Sequence, residues 1–205
     1  MKIISPNEFN LSTCLLQEEC KTLYVAHASS SEETTDCTFA LAMSLKKLSA
    51  EPVLVIDGNP FNASLSAHFK LQDVPGFSDW VSARSKDPDP YIFHHEEHDI
   101  HVMGAGHPAS AHEWCVISEA LQAQLRNLQT HFSYIVFNGS GLDQQQSLLL
   151  AANFGGVILI ISENETPNEN ALHIKQQLDQ VGAKLVGSIL KKRQHFIPRR
   201  LANLS

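Results

Sequence analysis

No pair of cysteines in this sequence has C-x-x-C spacing, no G-x-S-x-G elbow occurs, and no apolar run approaches membrane-spanning length. Cys14, Cys20, Cys37 and Cys115 are too scattered to suggest a zinc knuckle or a redox motif. They read as unpaired, buried thiols in a reducing compartment. The longest apolar run, Gly155 to Ile161, is far shorter than the roughly 20 residues a membrane helix needs. The N-terminal MKIISPNEFN also lacks a signal-peptide pattern, because its apolar stretch ends at Pro6. A cytoplasmic protein is therefore expected. Cations are in short supply too: 15 Lys and Arg stand against 22 Asp and Glu, a net charge of −7. Such a balance argues against a nucleic-acid footprint. Neither an internal repeat nor a domain linker is evident.

The 205 residues suffice for one sizeable core, with 43% hydrophobic and 18% charged side chains. Short apolar runs alternate with helical patterns. Strands are expected at Thr22–His27, Val53–Asp57, Ile100–Gly104, Tyr134–Phe137, Val157–Ser162 and Lys184–Leu190. Helical spacing marks Phe9–Glu19, Cys37–Leu48, Ser64–Phe69, Trp114–Gln129, Ser147–Asn153 and Asn168–Val181, the last followed by Gly182 as a C-terminal stop. Lys46 and Lys47 suit the C-terminal end of their helix. Phe39, Leu45 and Leu48 are the expected core stripe of that helix. A surface loop is expected over Ser82–Pro90. Near-continuous apolar strands between helices imply a three-layer, doubly wound, mostly parallel α/β sheet covered on both faces.

The order of landmarks is more specific than any one of them. It runs through AHASSSEETTDCTFALA (Ala26–Ala42), VLVIDGNPFNAS (Val53–Ser64), VPGFSDWV (Val74–Val81) and HDIHVMGAGHP (His98–Pro108). It continues with FSYIVFNGSGLDQQQSLLLAANFGGVILIISENET (Phe132–Thr166) and VGAKLVGSIL (Val181–Leu190). This succession resembles P-loop ATPases of the MinD type. More closely it resembles the cytoplasmic domain of bacterial tyrosine kinases (BY-kinases) of capsule and exopolysaccharide systems. The resemblance spans roughly residues 20–200. It implies a single P-loop NTPase-like domain over 1–205, with 1–20 as an N-terminal extension and 191–205 as a basic tail.

Set against that family, the nucleotide site is degenerate. A phosphate loop needs glycines that aim backbone N–H groups at phosphate, a lysine for the β- and γ-phosphates, and a hydroxyl for Mg²⁺. Ser31 and Glu33 stand where the resemblance places glycines, and Thr34 where it places the lysine. Thr35 alone matches, at the magnesium-ligand position. Loss of one cation at ~4 Å removes about 4 kcal/mol at an effective dielectric near 20. That is close to a thousandfold in affinity, and Glu33 and Asp36 add repulsion. Asp57 matches the Walker A′ aspartate, but Asn59 replaces the next acid of that motif. Asn138 replaces the Walker B aspartate, and an amide is a poor partner for hydrated Mg²⁺. The tail KKRQHFIPRRLANLS has no tyrosine to autophosphorylate, and the E-x-x-R-x-x-R ring-forming helix is absent.

The resulting expectation is a non-catalytic, pseudo-kinase-like scaffold or regulatory partner in exopolysaccharide or capsule biosynthesis or export. No cofactor is expected. Its partner would be a polysaccharide co-polymerase-type membrane protein, with a homo-oligomer also open, so the chain could sit peripherally at the inner membrane. An atypical ATPase or protein tyrosine kinase is the first alternative, using Asp57, Thr35, ATP and Mg²⁺ with a lysine from elsewhere. A MinD-like positioning regulator is the second. Five of the 15 cationic side chains, Lys191, Lys192, Arg193, Arg199 and Arg200, crowd the C-terminal end beside Phe196, Ile197, Leu201 and Leu204. They are candidates for docking on a partner or an anionic membrane. His94 and His98 are weak metal candidates: with Glu96 they would share one face if the segment were a strand. The competing reading there is a solvated loop running into an edge strand. A Ser/His hydrolase built on His27 and Ser29–Thr35 is disfavoured by the missing nucleophile elbow.

Overall fold

The computed structural model describes residues 20–29, 34–48, 51–59, 63–107, 121–162 and 168–191. The expected helix Phe9–Glu19, Cys14, Cys115, Ser31, Glu33, Lys192, Arg193, Arg199 and Arg200 lie outside them.

The elements, in chain order, begin with β1 (Thr22–His27), α1 (Thr35–Leu48), β2 (Val53–Asp57), α2 (Ser64–His68) and α3 (Phe77–Ser82). A 3₁₀ turn at Asp89–Tyr91 leads into β3 (Phe93–His95) and β4 (Ile100–Met103). Helical residues 121–128 form α4. Then follow β5 (Tyr134–Asn138), α5 (Gln145–Ala151), β6 (Gly156–Ser162), α6 (Asn168–Gln180) and β7 (Leu185–Lys191). The sheet has seven strands in the order β3-β4-β2-β5-β1-β6-β7, and every pairing is parallel except β3 with β4. The doubly wound α/β plan expected from the sequence is the one observed.

Why these residues make this sheet is legible in the burial. All residues of β1 and β2 are buried, so neither strand alternates polar with apolar. Two apolar layers result. One packs α1 and α2 against Leu23, Val25, Val53, Val55 and Val136. The other packs α3, α4, α5 and α6 against Tyr24, Leu54, Ile56, Ile135 and Phe137. Phe39 and Leu45 are core, as their spacing implies, but Leu48 is half exposed. It is the last residue of α1, where the helix leaves the sheet. Cys20 and Cys37 are buried and form no disulfide. Burial pushes the Cys37 thiol up to about 11, which makes it inert as a nucleophile.

Three local features differ from the sequence reading. Helix α3 is an additional element to which the sequence reading assigned no helix; Asp79 starts it by accepting the Gly76 N–H at 2.9 Å. Strand β3 is an additional short strand, antiparallel to β4. Residues 96–99 between them form a tight turn, with His98 N donating to His95 O at 3.3 Å. His94, Glu96 and His98 therefore do not share a strand face. Gly182 behaves as expected, at φ +74° just after α6. No helix among the described residues is long and apolar enough to cross a membrane.

Candidate functional site: a self-satisfied polar knot

In parallel α/β sheets, ligand sites form beyond the carboxyl ends of the strands. Here that position is occupied by side chains that bond one another. Asn138 ends β5, between β1 and β2, and its side chain is fully buried. Its carbonyl oxygen accepts the Thr34 hydroxyl at 2.5 Å and the Thr38 hydroxyl at 2.9 Å. Its amide nitrogen donates to Asp57 Oδ1 at 3.3 Å. The amide is thus used at both ends, and its orientation follows from its partners. A carboxylate at this position would accept the two hydroxyls equally well. It would have no proton to offer Asp57.

Asp57 ends β2 and has no exposed surface. Its Oδ2 accepts both the backbone N–H and the hydroxyl of Ser66, each at 2.7 Å. The Asn59 N–H approaches Oδ1 at 3.4 Å. Ser66 lies in α2, so the carboxylate satisfies an N–H group of that short helix that lacks an intrahelical acceptor. The Ser66 hydroxyl oxygen in turn accepts the Ala105 N–H at 2.8 Å, tying in the loop after β4. Burial pushes the Asp57 carboxyl above the ordinary range, against the opposing pull of Ser66, Asn138 and Asn59.

Thr34, which the family resemblance sets at the lysine position, turns inward. It is buried, bonds Asn138, and lies 3.3 Å from Gly139 O. Its carbonyl accepts the Thr38 N–H at 2.9 Å and so opens α1. Thr35, which the family resemblance sets at the magnesium-ligand position, pairs its hydroxyl with that of Ser64. Asp36 is exposed in the first turn of α1. The predicted residues Thr34, Thr35, Asp57, Asn59 and Asn138 are therefore gathered at one end of the sheet. Thr34, Asn138 and Asp57 are joined in one hydrogen-bonded chain.

Sequence reasoning missed Thr38, Ser64 and Ser66. Thr38 carried a signal: a hydroxyl one helical turn after Thr34, on the apolar face of α1. The aromatic packing beneath the knot was also missed. A Cβ on Gly58 would sit 1.8 Å from the Phe137 ring, and one on Gly139 would sit 2.3 Å from that of Tyr24. The two rings stack with centroids 5.3 Å apart, and Phe77 and Phe154 pack edgewise and tilted against Phe137. The Tyr24 hydroxyl makes no hydrogen bond of ordinary geometry, although Ser140 and Ser147 are near, and burial pushes its pKa up to about 12.

The other candidates separate. His94 bonds Asp99 at 3.0 Å and packs on His101, whereas His98 stacks on His95. No group of three or more potential ligands among the described residues has metal-binding geometry. His27 is fully buried inside β1. Lys191 closes β7, the only member of the basic cluster among the described residues.

No family model matches the sequence, and no curated protein matches it. The fold does match solved structures. The kinase domain of VpsO is similar at TM-score 0.80 and 23% identity, covering 90% of this chain and 91% of that one. That of the Escherichia coli tyrosine kinase ETK gives 0.78 at 16% identity, over 90% and 73% of the two chains. The septum site-determining protein MinD from Pyrococcus horikoshii, solved with Mg-ADP, gives 0.63 at 16% identity, over 82% and 69%. This chain has the BY-kinase and MinD-type fold. At these identities the likeness concerns architecture.

Proposed function

We propose that this chain is a non-catalytic relative of the BY-kinase domain, serving as a scaffold or regulatory partner in exopolysaccharide or capsule biosynthesis or export. The observation carrying this reading is the Thr34–Asn138–Asp57–Ser66 chain of hydrogen bonds. Groups that would have to face Mg²⁺ and phosphate are spent on one another. Breaking them open to admit a nucleotide would leave buried polar atoms unpaired, at about 1–3 kcal/mol each. The cation that would compensate is replaced by Thr34. A polysaccharide co-polymerase-type membrane protein is the partner this reading favours. The basic segment from Lys191 to Arg200 is its candidate contact, which would hold the chain peripherally at the inner membrane.

Isothermal titration with MgATP and MgADP should show no binding in the micromolar range and no turnover. Micromolar binding accompanied by hydrolysis or tyrosine phosphorylation would reverse the reading. The rival, an atypical ATPase or kinase, draws on the retention of Asp57. It requires that Asp57→Ala abolish phosphoryl transfer.

A further inference from the structure

The hairpin at the β3 edge of the sheet carries imidazoles on both faces. His94 and His101 are cross-strand partners, with ring centroids 4.8 Å apart. His101 also packs edgewise on Phe132, at 5.3 Å. On the opposite face His95 stacks on His98 at 5.1 Å, with the ring planes 17° apart. Those two rest on Phe69 and Phe39, at 5.0 Å in each case, and His68 of α2 packs on both phenylalanines. Five of the chain's 11 histidines are thus in two aromatic groups, one on each face of the hairpin. The Nδ1 atoms of His95 and His101 are buried with no hydrogen-bond partner.

Neutral imidazoles suit such groups, because they stack on each other and on phenylalanine as ordinary aromatic rings. Imidazolium rings do not. Each gains a charge and a second N–H donor, and a buried donor without an acceptor is costly. The charged and titratable groups around the cluster are few. Lys46 of α1 adds positive charge. Lys70 and His131 adjoin Phe69 and Phe132 in sequence, and the neighbouring strand β2 is apolar apart from Asp57 at its far end. Glu96 and Glu97 in the turn are exposed. Asp99, at φ +49°, is shared between Lys46 at 2.8 Å and His94 at 3.0 Å. The one carboxylate that touches the cluster is therefore already matched with a lysine.

We propose that the β3–β4 hairpin is a pH-sensitive edge, in which protonation of the clustered histidines loosens β3 from β4. Only three residue pairs hold β3, against four or five in the central parallel pairings of β1 and β2 with β5. Its release would leave β4 as the terminal strand, open to strand addition. Burial, then the neighbouring His94 charge, hold His101 below its ordinary value of 6.5. The open hairpin consequently binds the proton better than the closed one. Closure is strongest above the ordinary imidazole value, weakens as pH falls through it, and levels off once the closed form is itself protonated.

Amide hydrogen exchange on the full chain at pH 7.5 and pH 5.5, corrected for intrinsic rates, tests this. The amides of Phe93–His95 should lose protection at the lower pH by severalfold. Those of β5 should hold theirs and serve as the internal reference. The variant His101→Phe keeps the ring and removes the group that burial makes a weaker base in the closed hairpin, and should lose less protection. Equal protection at both pH values would overturn the proposal. So would hairpin and β5 amides that weaken together, or a phenylalanine variant with undiminished pH dependence.

Discussion

Asn138 shows how one functional group decides the character of a site. Oxygen and nitrogen of its amide meet groups of opposite need: two threonine hydroxyls on one side and a buried carboxylate on the other. Asn138→Asp would set a second carboxylate 3.3 Å from the first, with no donor between them. We expect a loss of about 3–5 kcal/mol, the range for an uncompensated buried charge. Millimolar Mg²⁺ should restore part of it, measured as a melting-temperature increase over an EDTA control. Asp57 has its own signature. Its carboxyl is raised by burial, so the folded state holds a proton more tightly than the unfolded one. Its contribution is most favourable at acid pH and declines as pH climbs from the ordinary value of 3.8 through the raised one. Asp57→Asn removes that decline. Denaturant melts of both proteins should show wild-type stability falling relative to the variant between acid and neutral pH. Asp79 slopes the opposite way. Burial works against its ionised form, but the N–H groups of Gly76 and His107 and the His107 ring prevail and lower it.

Elements here are positioned less by their own propensity than by what they meet. Helix α2 is five residues long, too short to persist alone. Asp57 and the loop after β4 hold it through Ser66. The β2–α2 connection starts at Gly58 because the Phe137 ring fills the space a side chain would need. Gly58→Ala should therefore cost roughly 1–3 kcal/mol through overpacking. Adding Phe137→Leu should recover part of that loss, a coupling that a double-mutant cycle would measure. At the other end of the sheet, α1 is tied to the hairpin turn by Lys46 and Asp99. Their exposed setting makes the pair weak, and Lys46→Ala should lower stability by under about 1 kcal/mol in thermal melts.

Across the whole molecule, two apolar layers share a single seven-stranded sheet, with the polar knot at the carboxyl ends of its central strands. One sheet with a core on each face should unfold in one cooperative step. Calorimetric and van't Hoff enthalpies would then agree, and a second transition would divide the proposed single domain. The sequence by itself determined the architecture, because buried parallel strands demand near-continuous apolar runs, and Thr22–His27, Val53–Asp57 and Val157–Ser162 supply them. The reading of Thr34 and Asn138 as replacements for a lysine and an acid is likewise one-dimensional, carried by the family resemblance alone. Tertiary structure alone decided what the remaining groups do. Thr34, Thr38, Asp57, Ser66 and Asn138 lie up to 104 residues apart, and no local pattern foretells that each would become another's partner. The histidines behave likewise: their clustering in sequence was plain, but a tight turn after His95 sent His94 and His98 to opposite faces. Side-chain direction in a strand has period two, and a turn resets it.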